Sequence, residues 1–168
     1  MKPPEVIKEE FTREWVRKTE IDFKTAGHLC HGGPDFAEGT AFHSQQAAEK
    51  YLKAFLVWHQ IEFQKTHDIE ALFRPGEYPA PWGEGFSPLW SLIPRCLRRG
   101  SSLRLAGKVD DKIPEILGDT VILTPYGVDY RYPGEYPEVG MSDAERAFLL
   151  ADRVRAEVRS RLPHHILE

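Results

Sequence analysis

The stretch Gly39-Thr40-Ala41-Phe42-His43-Ser44-Gln45-Gln46-Ala47-Ala48-Glu49-Lys50-Tyr51-Leu52-Lys53-Ala54-Phe55-Leu56-Val57-Trp58-His59 decides the fold. At helical spacing, Ala47, Tyr51, Ala54 and Trp58 form one apolar stripe, and Phe42, Leu52 and Leu56 form another. A helix with two such stripes is central, packed by neighbours on two sides. Its polar residues collect on what is left: His43, Gln46, Lys50 and Lys53 share a line, with Gln45 and Glu49 beside it.

Upstream, Phe11, Trp15, Thr19, Phe23, Ala26 and Cys30 recur at steps of three and four and line one face of a first helix. Asp22, seven residues after Trp15, lies nearly on that face. The turn His31-Gly32-Gly33-Pro34-Asp35 stops this helix. Residues 1–10 are polar and proline-bearing and read as a loose lead-in. Downstream, Thr66 caps a short helix through Ile69, Leu72 and Phe73, with Asp68 in its first turn. Residues 75–88, with four prolines and three glycines, form a long irregular excursion. Ser87-Pro88 opens a further helix that Pro94 shortens or kinks. Another runs from about Asp111 through Ile113, Leu117, Val121 and Leu123 and ends at Thr124-Pro125-Tyr126-Gly127.

In the last helix, Ser142-Asp143-Ala144-Glu145 reads as a capping box. Its stripe is Ala144, Phe148, Ala151, Val154, Val158 and Leu162, with Pro163 as the stop. There is no strand-like alternation of useful length and no internal repeat. The expected class is all-α: an up-and-down four-helix bundle with an additional short helix and a long Pro/Gly-rich loop. The helical domain spans 11–162, and 163–168 form a tail.

The chain has 168 residues, enough for one domain, and at 41% hydrophobic it can bury a core. A net charge of −4 argues against a general nucleic-acid coat, though not against a local basic patch. Two cysteines are too few for a disulfide framework and point to a reducing compartment. The opening MKPPEVIKEE has no apolar signal core, and no run reaches the length of a membrane span. The expectation is a cytoplasmic protein with no membrane partner.

The segments Phe42–Ala54, Lys65-Thr66-His67-Asp68-Ile69 and Arg131-Tyr132-Pro133, with Asp22 in the first helix and the closing amphipathic helix, resemble the HEPN domain family (higher eukaryotes and prokaryotes nucleotide-binding). The resemblance covers roughly 11–162. It implies a helical bundle that commonly dimerises and acts in RNA-directed stress or defence systems. Some members pair, as toxin and antitoxin, with a minimal nucleotidyltransferase. The family's ribonucleases carry an arginine, four to six residues, then a histidine, and no such histidine follows Arg131. Arg159 stands at that spacing from His164 and His165. With 13 arginines and 7 histidines, chance alone gives about 1.6 such pairs. Both pairs also cross Pro163 near a terminus, so neither is taken as catalytic. No catalytic residue is assigned.

Asp22, Gln46, Glu49, Lys50 and Lys53 lie on or beside packing faces, where an unpaired charge is expensive. They therefore form an interhelical network or line a wet cleft that takes a ligand, with Lys50 and Arg131 expected in one polar cluster with Asp22. Arg131 and Tyr132 can hold a phosphate and stack on a base, or else cap a helix and pack. His67 beside its capping threonine is either local structure or part of that site. His28, Cys30 and His31 have metal-ligand chemistry but lack a fourth ligand, so no metal and no cofactor is expected. The arginine-rich stretch 95–108 reads as a solvated basic face with phosphate binding as its alternative. Trp15, Phe23, Trp58, Trp82, Phe86 and Trp90 favour a homodimer, the alternative being that the 75–88 excursion folds back and buries those faces within the monomer. The function expected is a nucleotide- or RNA-associated regulatory module with a nucleotidyltransferase partner. The alternatives are a metal-independent RNA-cleaving toxin and a structural helical subunit.

Overall fold

The computed structural model describes residues 3–61, 105–131 and 136–168, with Arg131 described in its backbone alone. These residues are helical throughout their ordered elements, and no strand occurs among them. The expected helices at 66–73 and from Ser87, and the 75–88 excursion, lie outside the described residues, so the four-helix count stays an expectation.

Helix α1 spans Pro4–Cys30. It starts seven residues before Phe11, so most of the expected loose lead-in is helical. Pro4 supplies its fixed φ in the first turn, where no backbone donor is needed. The Gly32 N–H donates to the Leu29 carbonyl at 2.8 Å, and Gly33 takes φ +91°, which closes the helix as the glycine pair predicts. A 3-10 turn, Pro34–Phe36, leads into helix α2, Ala37–Trp58. Partners of α1 run backwards along α2: Asp22 meets His43 and Lys50, Glu20 meets Tyr51, and Lys8 meets Trp58. The two helices are an antiparallel hairpin.

Fifteen of the 22 residues of α2 are buried, which makes it the central helix that its two stripes require. Ala41, Ala47, Ala48 and Ala54 are fully enclosed and let neighbours approach closely, while Tyr51, Leu52, Phe55 and Leu56 fill the core. On α1 the buried line is Thr12, Val16, Thr19, Asp22 and Ala26. Thr19 and Ala26 of the expected face are buried, whereas smaller neighbours take the places of Phe11, Trp15 and Phe23. Phe11 is 60% exposed, and Trp15 and Phe23 are half-buried at the margins. Small β-branched residues fit the tight α1–α2 seam better than aromatics, and the Thr12 and Thr19 hydroxyls donate to carbonyls four residues back at 2.8 Å.

The helix expected from Asp111 is broken. Helix α3, Lys112–Leu117, is followed by a 3-10 segment Gly118–Leu123 and helix α4, Thr124–Val128. Gly118 weakens the first helix, and Pro125 starts a new one instead of ending the old. Helix α5, Met141–Arg161, packs on both α1 and α2 through Ala144, Ala147, Leu150, Ala151, Val154 and Val158. Its cap lies two residues before the expected one: Asp143 Oδ2 accepts the Gly140 N–H at 3.0 Å. The tail is also ordered. Helix α6, His164–Leu167, buries Ile166, and His165 lies against Trp58 and near Glu9.

Candidate functional site

Asp22 sits about two thirds of the way along α1, facing α2, and is only 9% exposed. Its Oδ1 is 3.1 Å from His43 Nδ1, and its Oδ2 accepts from the Lys50 ammonium. His43 and Lys50 are seven residues apart, two helical turns on one face, so one carboxylate spans both. Each keeps a partly exposed side chain, 30% for His43 and 26% for Lys50. The trio is therefore a wet-edged cluster on the α1–α2 seam.

One helical face further in, a dry array fills α2. Gln46 Nε2 donates to Gln45 Oε1 at 2.6 Å, Gln45 Nε2 donates to Glu49 Oε2 at 2.9 Å, and Lys53 donates to Glu49 Oε1. Gln45, Gln46, Glu49 and Lys53 are all buried. Trp15 covers Lys53, its ring centre 5.8 Å from the ammonium. The far side of Gln45 is closed by Gly127 of α4, at a place where any Cβ would overlap the carboxamide. The chain that leads to Arg131 is thus seated on the same array.

A second interhelical cluster lies on the other side of Tyr51. The fully buried Tyr51 hydroxyl donates to Glu20 Oε1. Arg155 Nε and Arg159 Nη1 each donate to that oxygen at 2.9 Å. Arg155 also lies over Phe23, 4.9 Å from the ring centre, and Phe23 stacks on Phe148. Burial alone would raise the Glu20 carboxyl, but the Tyr51 hydroxyl and the two arginines outweigh it and hold it below the ordinary 4.5. The same burial, with the Glu20 charge, pushes the Tyr51 hydroxyl far up.

A carboxyl whose folded pKa is depressed stabilises the fold above its unfolded value and loses that contribution as pH falls through the folded value. Urea midpoints followed downward from neutral pH are therefore expected to decline through the range below 4.5, and Glu20→Gln should flatten that decline. An unchanged acid limb in the variant would refute the assignment.

Of the expected site residues, Asp22 and Lys50 are joined directly, and Gln46, Glu49 and Lys53 belong to the adjoining array. His67, Tyr132 and the Arg131 side chain lie outside the described residues, so the expected Lys50–Arg131 cluster is not reached. The Arg131 backbone ends a 3-10 turn, Asp129–Arg131, after α4. Beside it Tyr126, Tyr130 and Tyr136 meet as tilted rings in a row, with ring centres 5.4 and 5.3 Å apart. Arg159 is engaged with Glu20, whereas His164 is 88% exposed beside Glu168. Trp15, Phe23 and Trp58 find partners within the chain: Lys53, Phe148 and Lys8. Trp82, Phe86 and Trp90 lie outside the described residues.

In the sequence His43 stands on the polar line and Gln45 beside it, but neither was assigned to the site. The signal for His43 was available, since it stands one turn before Gln46 and two before Lys50. Glu20, Tyr51, Arg155 and Arg159 form a cluster that spacing alone could not reveal.

No helix among the described residues is long and apolar enough to cross a membrane. No curated protein and no solved structure matches the chain. The family model for the HEPN domain, in contrast, matches residues 12–161, from the start of the buried face of α1 to the last residue of α5. It takes in the α1–α2 hairpin with its polar array, the Gly127 contact and the closing helix, and the chain accordingly belongs to the HEPN domain family.

Proposed function

We propose that the protein is a nucleotide- or RNA-associated regulatory module, working as a homodimer with a minimal nucleotidyltransferase partner in a toxin–antitoxin or other defence system. One observation carries the binding reading. Lys50 is a partly exposed cation fixed by a buried carboxylate, at the edge of an otherwise dry polar array. Asp22 occupies one ammonium donor and leaves others for a phosphate oxygen. Arg131 and Tyr132 remain the proposed phosphate and base contacts, and His67 remains a proposed member of the site. Gln46, Glu49 and Lys53 support the floor of the site.

Fluorescence anisotropy with a labelled short RNA and with ATP, at low salt, tests the reading. Lys50→Ala is expected to weaken binding about tenfold or more while leaving the thermal midpoint nearly unchanged. A variant that loses stability but binds normally would make the cluster purely structural. The dimer rests on the family's tendency to dimerise, and Phe11 and Leu149 leave apolar surface exposed on α1 and α5. Sedimentation should give twice the chain mass at micromolar concentration. Co-purification with the product of an adjacent nucleotidyltransferase reading frame tests the partner.

A further inference from the structure

We propose that Arg155 and Arg159 form a second, separate binding site, on the α1–α5 flank, that takes the dianion of a phosphomonoester or of inorganic phosphate. It goes beyond the reading of the Lys50 cluster and does not depend on it. Glu20 and Asp22 are two residues apart on α1, about 200° around the helix, so their clusters open on opposite flanks.

Charge is unequal at this place. Arg17, Arg153 and Arg161 each have a carboxylate of their own, whereas Arg155 and Arg159 share Glu20. No other carboxylate among the described residues pairs with either. Lys24, one turn after Glu20, adds a cation, and Asp152, one turn before Arg155, adds an anion; both are exposed. One positive charge stays in surplus. The two arginine side chains are only 30% and 29% exposed, so they have lost most of their hydration, and a surplus cation in such a place calls for an anion.

Geometry says which anion. Glu20 takes Nε and Nη2 of Arg155 and Nη1 of Arg159. Both guanidinium groups reach the same oxygen at 2.9 Å, so they are neighbours. They still present the Nη1 end of Arg155 and the Nε–Nη2 edge of Arg159. Phe23 lies under Arg155 and is itself stacked on Phe148, while the Tyr51 hydroxyl holds Glu20 from the buried side. The pair is therefore fixed in place rather than free to swing. One guanidinium edge is satisfied by two oxygens of an anion. Two guanidinium groups on one anion suit three terminal oxygens, which a phosphomonoester or free phosphate has. A phosphodiester has two, and a single fork satisfies it. That difference sets this site apart from one that tracks a nucleic-acid backbone.

The test follows the arginine Nε–Hε NMR signals of the isotope-labelled full chain at about pH 8, where a phosphomonoester is a dianion. Inorganic phosphate, and separately methyl phosphate, should shift the Arg155 and Arg159 signals saturably, and sodium chloride at matched ionic strength should not. Saturation by both means that the site accepts an esterified ligand, and saturation by inorganic phosphate alone assigns it to the free ion. Dimethyl phosphate should bind at least about tenfold more weakly. Arg159→Gln should weaken phosphate binding about tenfold or more, read on the Arg155 signal, whereas Arg153→Gln, which removes the same charge elsewhere on α5, should leave it unchanged. If Arg159→Gln fails to fold by circular dichroism, Arg159→Lys takes its place, since it keeps the charge and loses the fork. Signals that never saturate, a diester bound as tightly as the monoester, or equal losses in the Arg153 and Arg159 variants would overturn the proposal.

Discussion

Lys53→Met is expected to destabilise the protein by about 3–5 kcal/mol, the loss seen when one partner of a buried ion pair is removed. For a chain of this length that corresponds to a fall in thermal midpoint of about 6–20 °C. The reason is the enclosure of Glu49, which is 2% exposed and whose two oxygens receive Lys53 and Gln45. Methionine fills the volume but supplies no donor, so the Glu49 carboxylate loses the charge of Lys53 in a site that is 2% exposed. Glu49→Gln added to Lys53→Met removes that charge and should recover part of the loss. A single variant within 1 kcal/mol of the parent, by urea denaturation, would show that water reaches this array.

Gly127→Val should cost about 3 kcal/mol, from overpacking together with the loss of a buried hydrogen bond to a charged group. Gly127 lies against the Gln45 carboxamide, so any Cβ overlaps it. The carboxamide is the end of a side chain and could rotate elsewhere, but here it is fully buried and bridges Gln46 to Glu49. Either α4 lifts away or the bridge breaks. Shortening the obstructing side chain with Gln45→Ala in the same molecule should make the valine cheaper than it is alone. Strict additivity of the two changes would mean that the contact is not the cause.

The central helix was legible because both of its apolar stripes lie in one uninterrupted stretch, and local spacing is what a sequence displays directly. Asp22 was legible for the same reason, as a charge on a packing face. The exposure of the aromatics on α1 was not. Aromatic residues dominate a hydrophobic pattern, yet Thr12, Val16 and Thr19 pack closest because thickness, not hydrophobicity, decides which face meets an alanine-rich neighbour. The break at Gly118 escaped notice because Pro125 has two opposite meanings, stop and start, depending on whether a turn precedes it. Among site residues, the members of the α2 line could be read off as a set. The pairing of Glu20 with Arg155 could not, since 135 residues separate them and only the tertiary fold brings them together.

That separation also shapes how the chain must be made. The α1–α2 hairpin closes through near neighbours and can form as soon as about sixty residues have emerged. The contacts of its second face with α5 form only when that helix arrives. At ordinary translation speeds of about 5–20 residues per second, the roughly hundred intervening residues take about 5–20 s. Throughout that interval the nascent helix pair lacks the apolar contacts of α5, and Glu20 lacks its two arginines. This half-built state, rather than the finished bundle, is where a chaperone would find its grip and where aggregation would begin.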